Sequence, residues 1–139
     1  MSTEANKALV RRYYTEVLNQ RNIAVLDELC SPTFVSHASA GAKIGLAQYR
    51  QAIMASHTAF PDLVVTVEDQ IAEGDKVVTC WTAQGTHQGP FAGVPPTGKR
   101  VTVTAIHIHR VDNGKIVEHW EEINLLGLMQ QLGLFQNSQ

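Results

Sequence analysis

Six histidines and a run of acidic residues carry most of the chemistry open to this chain. His37, His57, His87, His107, His109 and His119 are spread along it, and the stretch "HWEEIN", His119 to Asn124, sets Trp120, Glu122 and Asn124 at alternate positions. An imidazole changes charge near neutral pH, and a partly buried glutamate has its pKa raised toward the same range. A facing pair of the two can take a proton from a carbon next to a carbonyl. His107 and Glu122 are the candidate pair. Asn124 can hold a carbonyl oxygen but cannot titrate. His107 and His109 face the same way within one strand, where a third ligand nearby could complete a metal site. No HxxxH or CxxC spacing concentrates ligands, so satisfied or surface imidazoles are the stronger reading and no metal site is expected.

A second stretch tests as a phosphate site and fails. "GVPPTGKR", Gly93 to Arg100, has the spacing of a phosphate-binding loop up to its lysine. Such a loop needs a run of backbone amides, a Ser or Thr after the lysine and a helix behind it. Here Pro95 and Pro96 remove two amides, Arg100 stands at the hydroxyl position, and "VTVTA" continues as a strand. The stretch is a rigid surface loop.

Composition narrows the partners. The 139 residues, 1–139, are about one domain, large enough for a core of its own. A net charge of -2 with no basic run does not suggest nucleic acid. No apolar stretch approaches the ~20 residues of a membrane span, and the start lacks a signal peptide's apolar core, so a cytoplasmic protein with no membrane partner is expected. Cys30 and Cys80 lie far apart in no metal-type spacing and read as thiols without a role.

The elements that must position these residues come in two blocks. After the candidate caps Ser2 and Thr3, Ala5, Leu9, Val10, Tyr13, Val17 and Leu18 recur at helical spacing. Asn22 can cap a short second helix with Ile23, Leu26 and Leu29, stopped at Ser31 and Pro32. "TFVSHA" reads as a strand, and Gly45 to about Thr58 as a third helix with Leu46, Tyr49, Ile53 and His57 along one stripe. From Asp62 the period becomes two: a hairpin turns at "EGD", a second turns at "DNG", and Leu125 to Leu132 closes as a helix. The order α-α-β-α-β-β-β-β-α implies an α+β fold with helices on one face of a curved antiparallel sheet.

If Asn113 and Gly114 form a two-residue turn, Asp112 opposes Lys115 and the hairpin can be counted. His109 then falls opposite Glu118, His107 opposite Trp120, Ala105 opposite Glu122 and Val103 opposite Asn124. That face suits a concave pocket with a few polar groups among apolar walls. The opposite face, with Arg110, His119 and Glu121, would be polar and solvated. His107 and Glu122 are diagonal neighbours in this register, open to an acid/base role or to an ordinary cross-strand hydrogen bond. A bulge would shift the register by one and move His107 away from Trp120.

"FPDLVVTVEDQIAEGDKVVTCWTAQGTHQGPFAGVPPTGKRVTV" and "IHRVDNGKIVEHWEEINLLGLMQQLG" resemble the SnoaL-like polyketide cyclases, or ester cyclases, of the nuclear transport factor 2-like superfamily. "GTHQGPFAGVPPTGK" and "GKIVEHW" followed by "LGLMQQLG" are the most specific pieces. The resemblance implies a nuclear transport factor 2-like cone, a curved sheet packed with N-terminal helices around a pocket for a small apolar molecule. It also implies cofactor-free acid/base catalysis and a homodimer or higher homo-oligomer. Members close a ring by intramolecular aldol condensation with a pocket aspartate, a position that matches Asn124. Asn124 also has a structural explanation, since Asn and Asp are near-equal helix N-caps. His37 and His87 match family histidines and are expected, with Trp81 and Trp120, to line the pocket. Two functions compete: a cyclase or isomerase using His107, Glu122 and Asn124, and a non-catalytic binder of a small apolar molecule using the same pocket. A domain that works by pairing through the outer sheet face is the least favoured reading.

Overall fold

The structure is a computed structural model that describes residues 2–38 and 41–134. Helix α1, Thr3–Arg12, starts where the Ser2 side chain accepts from the Ala5 amide at 3.0 Å. Glu4 in its first turn and Arg11 and Arg12 in its last complement the helix dipole. The helix then widens into a π-helical stretch, Tyr13–Asn19, instead of ending. Tyr13 and Tyr14, adjacent in sequence, are both buried there, along with Val17 and Leu18. Helix α2, Val25–Leu29, follows, and the Asn22 backbone carbonyl, not its side chain, holds the Val25 amide at 3.1 Å.

Strand β1, Cys30–His37, absorbs Pro32, which the sequence placed outside the strand; the pairing with β6 is irregular between Cys30 and Val35, where that proline has no amide to offer. A short strand β2, Lys43–Gly45, not anticipated, turns back along β1. Helix α3, Leu46–Ala59, buries Tyr49 and Ile53. Strands β3, Val64–Glu73, and β4, Lys76–Thr86, form the first hairpin, and β5, Arg100–Asp112, and β6, Lys115–Ile123, the second. Helix α4, Leu125–Gln131, closes the described chain.

The sheet order is β2-β1-β6-β5-β4-β3. It is curved and unclosed, and it is mixed: β1 runs parallel to β6, a correction to the all-antiparallel expectation. Parallel neighbours need a long connection, and here β2, α3, the first hairpin and β5 lie between them. The α+β architecture with helices covering one sheet face stands. Val10, Tyr14, Leu26, Leu29, Phe34, Tyr49 and Val77 form the main core, and Ala59, Phe60, Val101, Val103, Leu128 and Leu132 a second cluster under α4.

Asn113 and Gly114 both have positive φ, the two-residue turn expected, and Asp112 opposes Lys115. Three residues later the count breaks. Val111 pairs with Ile116 but Arg110 pairs with Glu118, so Val117 is an extra residue on β6. From there the pairs are His109 with His119, His107 with Glu121 and Ala105 with Ile123. The alternation of β5 therefore points inward as read, whereas β6 is turned over.

Candidate functional site

The turned strand decides which residues meet. His119 and Glu121 face the helices, while Glu118, Trp120 and Glu122 face out, the reverse of the sequence-based expectation for this strand. His107, His109 and His119 are each at most 2% exposed. The ring of His107 lies edge-on to those of His109 and His119, at 5.3 and 4.8 Å. The π-helical stretch presses Tyr13 and Tyr14 onto the same place, and Tyr14 Oη lies 2.8 Å from His107 Nδ1. On the ring's other side His107 Nε2 lies 2.9 Å from Glu121 Oε1.

Proton positions follow from burial and charge. Burial is the largest influence on His107 and lowers its pKa to about 4, against the upward pull of its hydrogen bond to Glu121. Burial raises the Glu121 carboxyl, but the hydrogen bond from His107 and the nearby His119 ring outweigh it and hold the carboxyl below its usual range. Near neutral pH the glutamate is thus an acceptor and His107 a neutral ring that donates from Nε2. Nδ1 must then accept, so the Tyr14 hydroxyl donates to it. Burial, followed by the neighbouring Tyr13, keeps Tyr14 protonated. A chain of hydrogen bonds runs from Tyr14 through His107 to Glu121.

This chain ends in a cavity. Tyr13, Tyr49, Ile53, Phe60, Val65, Trp81, Phe91, Val103, Ile123 and Leu128 supply its mostly apolar wall, and His107 and Glu121 its main polar groups, around ≈ 390 Å³. That volume suits a molecule of drug size. Trp81 is 8% exposed, its ring lies 5.0 Å from that of His107, and its indole N–H has no hydrogen-bond partner among the described residues. A buried donor of this kind is costly unless something accepts from it.

Of the residues singled out from sequence, His107 and Trp81 are in this cavity, and Glu122, Asn124, His37, His87 and Trp120 are not among its lining. Glu122 lies in an outer groove with Glu68, Cys80, Thr82, Thr104 and Ile106. His107 and Glu122 are therefore on opposite faces, because Val117 shifts β6 by one residue. The Asn124 side chain accepts from the Gly127 amide at 2.9 Å as the N-cap of α4. Trp120 stacks flat on His37 on the outer face, at 5.1 Å and 3°, and His37 Nε2 is 2.6 Å from Glu118 Oε2. His87 is fully buried, and its Nδ1 accepts from the Thr97 amide at 3.2 Å, a contact that ties it to the loop running to Arg100. No helix follows that loop, in keeping with its rejection as a phosphate site. Glu121 and His119 were missed as inward residues; the only advance signal was the register shift that a bulge would bring.

Comparisons with known proteins agree on the family. The model of the SnoaL-like polyketide cyclase family matches residues 8–132. The chain is 28% identical over 111 residues to the nogalonic acid methyl ester cyclase of Streptomyces nogalater, covering 78% of this chain and 83% of that protein. AclR of Streptomyces galilaeus, a candidate hydroxylase, superposes with a TM-score of 0.90 at 32% identity, covering 99% of this chain and 87% of AclR. IdmH of Streptomyces antibioticus, a candidate polyketide cyclase, superposes with a TM-score of 0.83 at 31% identity, covering 92% of this chain and 98% of IdmH. With a nuclear transport factor 2-like α+β fold and a family match across nearly all of its described length, this chain belongs to the SnoaL-like polyketide cyclases.

Proposed function

We propose that this protein is a cyclase or isomerase that moves a proton at a carbon next to a carbonyl of a small, largely apolar polyketide, using the Glu121 carboxylate with His107 behind it. The observation that carries this reading is the 2.9 Å contact between a buried imidazole and a carboxylate at the wall of an otherwise apolar cavity. Glu121 accepts the proton from carbon. His107, hydrogen-bonded to Glu121 and to Tyr14, fixes the carboxylate and stabilises its charge before the proton is taken and again once it has been returned. Trp81 offers its N–H to the oxygen on which the enolate charge develops, where a prepositioned donor in a dry site lowers the barrier. Closing a ring by aldol addition then needs the same proton returned to the new alkoxide, so no external oxidant, reductant or cofactor enters the balance.

Glu121 takes the role that the family resemblance gave to the position of Asn124. The substrate named for the relative from Streptomyces nogalater, nogalonic acid methyl ester, is the first compound to test. Wild-type protein is expected to cyclise it or exchange its α-proton with solvent deuterium, and Glu121→Gln to lose about 10²- to 10⁴-fold, the usual worth of a positioned acid/base group. Saturable binding with neither cyclisation nor exchange, by wild type and variant alike, would instead identify a binding protein.

A further inference from the structure

Proton transfer through Glu121 leaves part of the buried polar cluster without a task. His119 is fully buried, and neither ring nitrogen has a hydrogen-bond partner among the described residues. Its Nε2 lies 3.9 Å from Glu121 Oε1, the oxygen that His107 Nε2 approaches to 2.9 Å. One ligand atom from each of His107, His119 and Glu121 can be chosen so that all three lie within 4.8 Å of one another. The register is what gathers them: His107 stands across from Glu121 and His109 across from His119, so four candidate ligands form two adjacent cross-strand pairs on one face.

Two imidazoles and a carboxylate are the donor set of zinc sites that keep one coordination position open. Tetrahedral bonds of about 2.0–2.2 Å put ligand atoms roughly 3.3 Å apart, between the two separations to Glu121. The supporting contacts are also in place. Phe34 and His109 sandwich the His119 ring, at 5.7 and 5.1 Å and 18° each, so its plane is fixed. His107 Nδ1 has the Tyr14 hydroxyl as the outer partner that a ligating histidine commonly keeps. His107 and Glu121 line the cavity, which gives a cation a way in and an open side.

We propose that His107, His119 and Glu121 form a binding site for a divalent first-row transition cation of the zinc type, with its open coordination position toward the cavity. The cation takes the place of the proton that His107 donates to Glu121, with Nδ1–H then donating to the Tyr14 oxygen. It therefore excludes the acid/base use of the same pair, and cyclisation proceeds without it.

The test is a titration of Co²⁺ into the full chain after chelator treatment, read by visible absorption, with melting curves as the check of folding. Expected is an intense four-coordinate cobalt spectrum that saturates at one ion per chain and is displaced by Zn²⁺. Binding should weaken about 10- to 100-fold in His119→Asn and in Glu121→Gln, and stay unchanged in His37→Asn on the outer face. Absence of a saturable spectrum in wild type, or an undiminished one in His119→Asn, overturns the site. If His119→Asn does not fold, the same comparison in Glu121→Gln decides. The catalytic proposal fails separately: it falls if chelated wild type neither cyclises nor exchanges protons, whatever cobalt does.

Discussion

Two histidine–glutamate pairs sit on opposite faces of the same sheet, and they differ in everything except residue type. On the outer face His37 meets Glu118 at 2.6 Å, Arg110 joins at 3.1 Å, and Trp120 stacks on the imidazole. On the inner face His107 meets Glu121 at 2.9 Å, and the histidine is 1% exposed. Hydrogen bonding by His37 is the largest influence on Glu118 and lowers its carboxyl, with Arg110 adding to it. Burial is the strongest influence on both members of the inner pair. A partly exposed pair of this kind contributes little to stability because water reaches and screens it. Inside an apolar cavity the same pair is desolvated, and it is there that we propose proton transfer. Chemistry here follows from which face a residue is on.

The largest way to break this contrast is to remove the residue that creates it. Deleting Val117 would bring β6 back to the uninterrupted count, turning Glu118, Trp120 and Glu122 inward and His119 and Glu121 outward. Burying unpaired carboxylates costs several kcal/mol each, so this deletion variant is expected not to fold, or to melt far below wild type in circular dichroism. A variant that keeps the wild-type melting curve would show that the bulge does not set the faces.

Acid should separate the faces next. Burial holds His107 at about 4 and, helped by His119 and His107, holds His109 well below its usual value. In the unfolded chain both titrate near 6.5, so below that pH the unfolded state binds more protons and stability falls as pH drops toward 4. The slope is about 1.4 kcal/mol per pH unit for each such histidine, before any offset from other groups. Urea midpoints measured with chelator present at pH 7 and pH 5 should show this loss, and His109→Gln should reduce it. Glu121 works in the same direction at lower pH: its folded carboxyl is lowered, so the unfolded chain again binds more protons, and its contribution is lost as pH falls from the ordinary carboxylate range through that lowered value.

The smallest effect concerns Asn124. Asn and Asp are near-equal caps, so Asn124→Asp should leave stability and turnover within about twofold, whereas Asn124→Ala should cost about 1 kcal/mol of stability through the lost Gly127 contact. Turnover gained by Asn124→Asp would return the catalytic role to that position.

Much of the fold is legible in the sequence because it is local. The alternation of β5, the Asn113–Gly114 turn, the Asn124 cap and the helical stripe through Tyr49 and Ile53 each follow from residue type and spacing. The site is legible only by half. Val117 is an ordinary strand residue, with no glycine or proline to mark a bulge, and one unmarked residue inverts the rest of β6. Polarity then misleads, since His119 and Glu121 look like solvent-facing residues, yet Glu121 is held inside by its His107 hydrogen bond and His119 by stacking on Phe34 and His109. The π-helical widening that brings two adjacent tyrosines inward is a tertiary feature, and so is the parallel pairing of β1 with β6.

The central claim is that the working carboxylate is on the inner face of β6. Glu121→Gln and Glu122→Gln, one residue apart, should therefore be compared for α-proton exchange and cyclisation on the same substrate. Expected is a loss of at least about 10²-fold for Glu121→Gln and less than about twofold for Glu122→Gln, both with wild-type melting curves. Full activity in Glu121→Gln with loss in Glu122→Gln would contradict it and restore the uninterrupted register.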